Sequence, residues 1–229
     1  MQPYLFPYIG YFQLMNLADT FVVYDDVQYI KGGWINRNNI LVAGDRKMFH
    51  LSLTNDSTYC NINDRLFDES KFEREKTKLL KTISQSYSKA PFFNETYSII
   101  ERVFKCGDLR LSEFVVNSIH EVNAYLQINT SIVKSSELEF EKELKSQERV
   151  ISLCKSLNAN NYINPIGGVE LYSKEKFQEH GITLNFIKTT DFNYLQFKNY
   201  FVSNLSIIDV MMFNSKEDIK AILNKYNLL

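Results

Sequence analysis

Asp25 and Asp26 stand where the apolar run Phe21-Val22-Val23-Tyr24 stops. A carboxylate in that place can accept a proton from an amine or hydroxyl nucleophile, or hold a cation. Consecutive strand residues point to opposite faces, so one of the two faces a site. The carboxyl ends of strands are where ligands bind in open α/β sheets. The plain alternative is a turn aspartate bonded to local backbone N–H groups. A second cluster follows in Gln28, Lys31, Trp34, Asn36, Arg37 and Asn38. Arg37 between two asparagines offers a planar fork flanked by amides, suited to a phosphate or carboxylate. Trp34 has a ring that stacks on a sugar or base, or packs partly into a core. Ahead of both lies an aromatic wall, Gln2, Tyr4, Tyr8 and Tyr11, interrupted by Pro3 and Pro7.

Further along, Asn164, Gly167 and Gly168 lie between a strand and a helix, where the glycine pair makes either a turn or a nest of N–H groups for an anion. Gln147 and Arg149, in the first turn of the preceding helix, face the same opening or solvent. His50, His120 and His180 have no H-x-x-x-H or H-E-x-x-H spacing, so no metal site is expected. His50 alone, on a strand after a hairpin, is placed to reach the N-terminal site as a catalytic candidate. No G-x-S-x-G elbow occurs and Cys60 has no evident histidine partner, which leaves acyl-enzyme chemistry without support.

The elements that must position these groups follow from proline, glycine and apolar spacing. Proline fixes its own φ and disfavours helix at the residue before it, so helix begins only after Pro7 and runs to Asp19. Thr20 to Tyr24 reads as a strand, and Val27 to Leu53 as a loop followed by a hairpin with Ala43-Gly44-Asp45 at its turn. Helices are expected at Phe72 to Tyr87, Asn94 to Phe104 and Leu111 to Leu126, a helical block inserted at about 70–127. The α/β pattern then resumes. Strands are expected at Thr130 to Lys134, Asn161 to Asn164 and Thr183 to Lys188, and helices at Gln147 to Leu157 and Ser173 to His180. Leu205 to Phe213 and a last helix from Ser215 to Tyr226 close the chain. The fold expected is a single α/β domain over residues 1–229, a Rossmann-like, mostly parallel sheet with the helical insertion.

Composition narrows the function classes. The chain has 229 residues and is 45% hydrophobic, enough for one large core. Twenty-six lysines and arginines against 27 aspartates and glutamates leave no field to pull it onto nucleic acid or an anionic membrane. Any bound anion must be held locally. No stretch reaches the roughly 20 apolar residues a spanning helix needs. Three dispersed cysteines are expected to be reduced thiols, and the protein to be soluble and cytoplasmic.

The runs MQPYLFPYIGYFQL, DTFVVYDDVQYIKGGWINRN, SQSYSKAPFF, SQERVISLCKSLNANNYINPIGG and NLSIIDVMMFNS together resemble the WbqC-like family of bacteria. The resemblance covers nearly the whole chain. It implies O-antigen or other surface-polysaccharide biosynthesis, with transfer of glycine or another small acyl or aminoacyl group to a nucleotide-linked amino sugar. Similar members carry a short apolar strand before the M-Q-P motif, so either the central sheet lacks a strand here or the start is placed too late. By analogy of fold, Tyr8-Ile9-Gly10-Tyr11 sits like the H-I-G-H signature of adenylate-forming nucleotide binders, with tyrosines in place of both histidines. That analogy implies ATP with magnesium. The partners expected are a nucleotide-linked sugar and a small acyl donor, with a homodimer left open. The rival readings are a nucleotidyltransferase-like enzyme and a non-catalytic glycan-assembly protein.

Overall fold

The computed structural model describes residues 1–54, 59–198 and 200–229. Its architecture starts from an irregular segment rather than a helix or strand. Pro3, Leu5, Phe6 and Pro7 are all buried, and Phe6 takes the left-handed φ of 44° that a bulky side chain rarely adopts. Buried backbone outside regular structure must find partners elsewhere. Leu5 N–H donates to Ile35 O at 3.1 Å. The Asn38 amide donates to Leu5 O and Phe6 O at 3.1 and 2.8 Å. Ser206 Oγ donates to Phe6 O at 2.7 Å, and Ile207 N–H to Pro7 O at 2.8 Å. Residues distant in the chain thus complete the segment's backbone.

Helix α1 (Ile9–Leu17) follows as soon as Pro7 is passed, and every residue from Ile9 to Met15 is buried. A helix enclosed all round needs its polar side chains satisfied internally. Gln13 does this by donating to Ile222 O and Lys225 O while accepting from Thr189 Oγ1 at 2.6 Å. Strand β1 (Thr20–Val23) comes next, then a hairpin of β2 (Arg37–Val42) and β3 (Asp45–His50). Ala43 and Gly44 turn the hairpin with φ of 53° and 90°, the paired left-handed geometry that matches strand twist.

The helical block is α2 (Glu69–Tyr87), α3 (Phe93–Lys105) and α4 (Leu111–Leu126). Asp68 caps α2, and Phe72, Leu79, Ile83 and Tyr87 form its buried stripe at helical spacing. Phe67, Phe72, Phe104 and Phe114 lock the block with tilted and edge contacts, the Phe67–Phe114 centroids being 5.3 Å apart. Strand β4 (Ser131–Lys134) then pairs in parallel with β1, Phe21 opposite Ile132. The amides of β1 alternate between its edges. Asp19 O accepts from Ser131 on the β4 side, whereas Met1 donates to Val22 O and accepts from Tyr24 on the other. Burial pulls the Met1 amine down to about 5.

Helix α5 (Ser146–Ser156), β5 (Asn161–Pro165), α6 (Lys174–Gln178) and β6 (Thr183–Thr189) complete the second α/β half, with β5 and β6 parallel. A satellite core forms between them from Val150, Ile151, Cys154, Phe177, Ile182, Leu184 and Phe186. Ser173 caps α6 by accepting from Lys176 N–H. The parallel pairs therefore belong to two small sheets, in keeping with an α/β fold. At the end of the chain, α7 (Ile207–Phe213) leads to α8 (Lys216–Leu223), opened by a capping box between Ser215 and Asp218. The expected helix to Tyr226 is shorter. It stops at Asn224, and β7 (Tyr226–Leu228) turns back antiparallel to β6, because Leu228 can pair with Ile187 there. Likewise the expected turn after β5 is the start of a 3-10 helix, Ile166–Leu171.

One buried carboxylate ties the last third to the hairpin. Asp209 accepts from Tyr87 Oη at 2.8 Å, Tyr194 Oη at 2.7 Å and Gln196 Nε2 at 2.6 Å. Tyr87 in turn accepts from Leu41 N–H in β2 at 2.7 Å. Burial raises the Asp209 pKa above the usual carboxylate range, opposed by the three donors. The native state thus holds this proton more tightly than the unfolded chain. The contribution is full below the unfolded carboxyl value of about 3.9 and is lost as pH rises through the folded value. Urea melts of Asp209→Asn as a function of pH are expected to lack that segment of decline. Asn38→Leu strips the amide from Leu5 O and Phe6 O and is expected to cost about 2 kcal/mol in the same assay.

Candidate functional site

The carboxyl ends of β1 and β4 lie side by side because the strands are parallel and in register. After β1 come Tyr24, Asp25 and Asp26; after β4 come Ser135 and Ser136. The two aspartates part company at once. Asp25 is buried: Oδ1 accepts from Ser136 N–H at 3.0 Å and lies 3.2 Å from Ser135 Oγ, whose one proton it shares with Asp26, and Oδ2 accepts from Ser136 Oγ at 2.8 Å and Ser112 Oγ at 3.4 Å. It fastens β1 to the segment after β4 and to α4. Asp26 lies beyond the end of β1 and extends from the Ser135 hydroxyl, which it shares with Asp25, toward α5. Its Oδ1 accepts from Ser135 Oγ at 2.6 Å, and its Oδ2 lies 2.8 Å from Arg149 Nη2 and 3.9 Å from Lys142 Nζ. The Arg149 contact is a charge pair without the alignment of a hydrogen bond, since Oδ2 has no hydrogen-bond partner.

Arg149 reaches this point from the first turn of α5. Tyr24 and Phe140 cover its guanidinium, with ring centroids 5.3 and 5.2 Å from Cζ. Nη1 donates to Lys142 O, while Nε is buried without a hydrogen-bond partner. Lys142 Nζ donates to Ser136 O at 2.9 Å. Burial raises the Tyr24 pKa, and the Arg149 charge works against that rise. Tyr172, just after the 3-10 helix that follows β5, adds a smaller part of the rise. Gln147 fixes the junction, its Oε1 accepting from Ser173 N–H at 3.1 Å.

Of the residues singled out from sequence, Asp25, Asp26 and Arg149 are brought together here, while Gln147 on the same helix turns its side chain to Ser173. Asn164 lies on β5, its Nδ2 donating to Tyr162 Oη at 2.9 Å. Its amide lies where a Cβ on Gly168 would come within 2.7 Å of Oδ1, so that glycine is a close approach. Neither Gly167 nor Gly168 has the left-handed φ of an anion nest. Tyr4, Tyr8 and Tyr11 stay near one another. Tyr11 is buried and donates to Gln2 O at 3.1 Å, and the Tyr4 and Tyr11 rings are 5.8 Å apart. Tyr8 lies over Gly10, where a Cβ would meet its ring at 2.4 Å and Thr189 Oγ1 at 3.0 Å.

The second sequence cluster is occupied with shaping its own loop. Arg37 Nε donates to Gly33 O at 2.8 Å and Nη2 to Gly32 O, with Cζ 5.5 Å from the centroid of the half-exposed Trp34 ring. Asn36 donates to Leu51 O and accepts from Tyr29 Oη, both at 2.8 Å, and Asn38 serves the N-terminal segment. Gln28 bridges to Asn61; Lys31 is exposed, and exposed His50 sits opposite Arg37 in the hairpin. Sequence reasoning missed Tyr24, Ser135, Ser136, Phe140 and Lys142. The signal was a serine pair directly after one apolar strand, mirroring the aspartate pair after another. Among the described residues no group of three or more histidine, cysteine, aspartate or glutamate side chains could hold a metal ion, and no helix is long and apolar enough to cross a membrane.

A family model described as WbqC-like protein family matches residues 2–221. An uncharacterized protein of Mycobacterium tuberculosis, Rv1507c, is 24% identical over 213 residues, covering 90% of this chain and 88% of its own. No solved structure matches the chain.

Breaking a mostly buried ion pair leaves one charge without its partner. Arg149→Met is expected to destabilise the fold by about 3 kcal/mol. The double variant with Asp26→Asn is expected to lose less than the two single losses added, which a double-mutant cycle by urea denaturation measures.

Proposed function

The chain belongs to the WbqC-like protein family, and we propose that it is an enzyme of surface-polysaccharide biosynthesis. It transfers a glycyl or other small acyl or aminoacyl group to the amine of a nucleotide-linked amino sugar. The observation that carries this reading is the Asp26–Arg149 pair, set in a mostly buried, aromatic-walled place at the carboxyl ends of two parallel strands. That is the end of a sheet where α/β proteins bind ligands. Once an incoming anion takes Arg149 from Oδ2, that carboxylate can receive a proton.

In the proposed reaction the sugar amine attacks the carbonyl of an activated acyl donor. The N–C bond forms, the amine proton passes to Asp26, and the donor's leaving group departs with the bonding electron pair. Arg149 holds an anionic part of the substrate, and Tyr24 and Phe140 exclude water around it. Asp25 keeps the carboxylate next to it in place without entering the chemistry. When free glycine is the donor, ATP with magnesium supplies the activation.

The test incubates the protein with nucleotide-linked amino sugars, glycine, ATP and magnesium, with mass spectrometry as readout. A glycylated sugar nucleotide is the expected product, and Asp26→Asn is expected to slow its formation by about 10²–10⁴-fold. Full activity in Asp26→Asn would sink the base assignment. Pyrophosphate released from a nucleoside triphosphate without any amino acid would favour nucleotidyl transfer. Saturable sugar binding with no product in any mixture would favour a glycan-assembly protein.

A further inference from the structure

We propose that Lys142 and Arg149 form a diphosphate subsite, which a ligand enters by taking the place of Asp26 Oδ2. Both cations reach that one carboxylate oxygen, at 3.9 and 2.8 Å, so a single small anion can span them. Arg149 Cζ lies 5.3 and 5.2 Å from the Tyr24 and Phe140 ring centroids and Nη1 donates to Lys142 O, contacts that hold the guanidinium at Asp26. Its Nε is a buried donor with no acceptor. A planar fork with an unused N–H matches phosphate oxygens, and the lysine adds a point charge from the side.

The surroundings favour an anion over a cation as the incoming group. Asp25, the other carboxylate, accepts from Ser136 N–H, Ser136 Oγ and Ser112 Oγ and shares the Ser135 hydroxyl with Asp26, which leaves it little to offer a metal or ammonium. Asp26 keeps Ser135 on Oδ1 when Oδ2 gives way. Displacing Oδ2 leaves Asp26 beside the incoming anion, so binding is opposed by that carboxylate and rests on the two cations and the unused Arg149 N–H. The phosphate role that sequence alone pointed to at Lys31 and Arg37 thus moves, because the Arg37 fork already donates to Gly32 O and Gly33 O. The assignment depends on the transfer reading only for the source of the diphosphate: the sugar nucleotide or ATP.

Inorganic pyrophosphate titrated into the full chain at low ionic strength, followed calorimetrically, tests this. Saturable binding is expected, weakened about tenfold or more by Arg149→Gln and by Lys142→Gln, unchanged by Lys31→Gln, and strengthened by Asp26→Asn, which removes the competing carboxylate. A purely structural ion pair predicts no gain in Asp26→Asn. The Lys142 side chain is 39% exposed, so Lys142→Gln is expected to stay folded, and that variant decides the matter if Arg149→Gln does not fold. No pyrophosphate binding, or binding indifferent to Lys142→Gln, overturns the subsite. Displacement of pyrophosphate by the amino-sugar nucleotide alone assigns the subsite to the sugar substrate, and displacement by ATP alone assigns it to the nucleoside triphosphate. Displacement by both assigns the shared diphosphate, and displacement by neither overturns a nucleotide ligand. Binding as described without any transfer product would overturn the transfer reading and leave the subsite standing. Product formation at full rate in Lys142→Gln would do the reverse.

Discussion

A peptide segment that is neither helix nor strand, yet lies buried, must have its backbone satisfied by other parts of the chain. Pro3 to Pro7 is that segment, and the fold is arranged around its requirements. Ile35 and Asn38 supply partners from the start of the hairpin; Ser206 and Ile207 supply them from the entry to α7. Elements nearly 200 residues apart in the sequence are thereby fixed on one short stretch. The left-handed Phe6 turns the chain so that its ring packs 6.4 Å from Phe104 of the helical block, while α1 departs into the centre of the molecule. Two prolines restrict the unfolded segment as well, which lowers the entropy lost in fixing it.

The candidate site depends on this arrangement at one remove. Met1 lies along β1, on the edge opposite β4, so the N-terminal segment and β4 hold β1 between them. That clamp sets where Tyr24, Asp25 and Asp26 emerge. Asp25 then converts strand geometry into site geometry. By gathering Ser112, Ser135 and Ser136 it fixes the start of the segment that carries Phe140 and Lys142 over Asp26. The same division of labour recurs at Asp209. There a second buried carboxylate with three donors orders the loop before α7 and has no path to solvent chemistry. Buried carboxylates in this chain are mainly fasteners, and Asp26 differs by keeping one oxygen free of hydrogen bonds.

Periodicity, proline, glycine and capping residues carry their information locally, so the sequence by itself determined nearly every helix and strand. The helix after Pro7, the hairpin turn at Ala43-Gly44, the three inserted helices and the Ser173 and Ser215 caps were all legible in this way. So was the aspartate pair at a strand end, because an apolar run that stops on two carboxylates needs no partner to be noticed. What only the tertiary structure decided was which charges meet. Asp25 and Asp26 are alike in sequence and opposite in role: both reach the Ser135 hydroxyl, but Asp25 is enclosed by serines of two distant elements while Asp26 extends to Arg149. Arg37 read as an anion ligand, but its fork is filled by carbonyls of its own tight loop. Lys142, in a charge-rich stretch with no periodic signal, became a site residue only when parallel pairing of β1 with β4 set that stretch over Asp26. Long-range pairing of polar groups depends on where the backbone brings them, and local pattern holds no record of that.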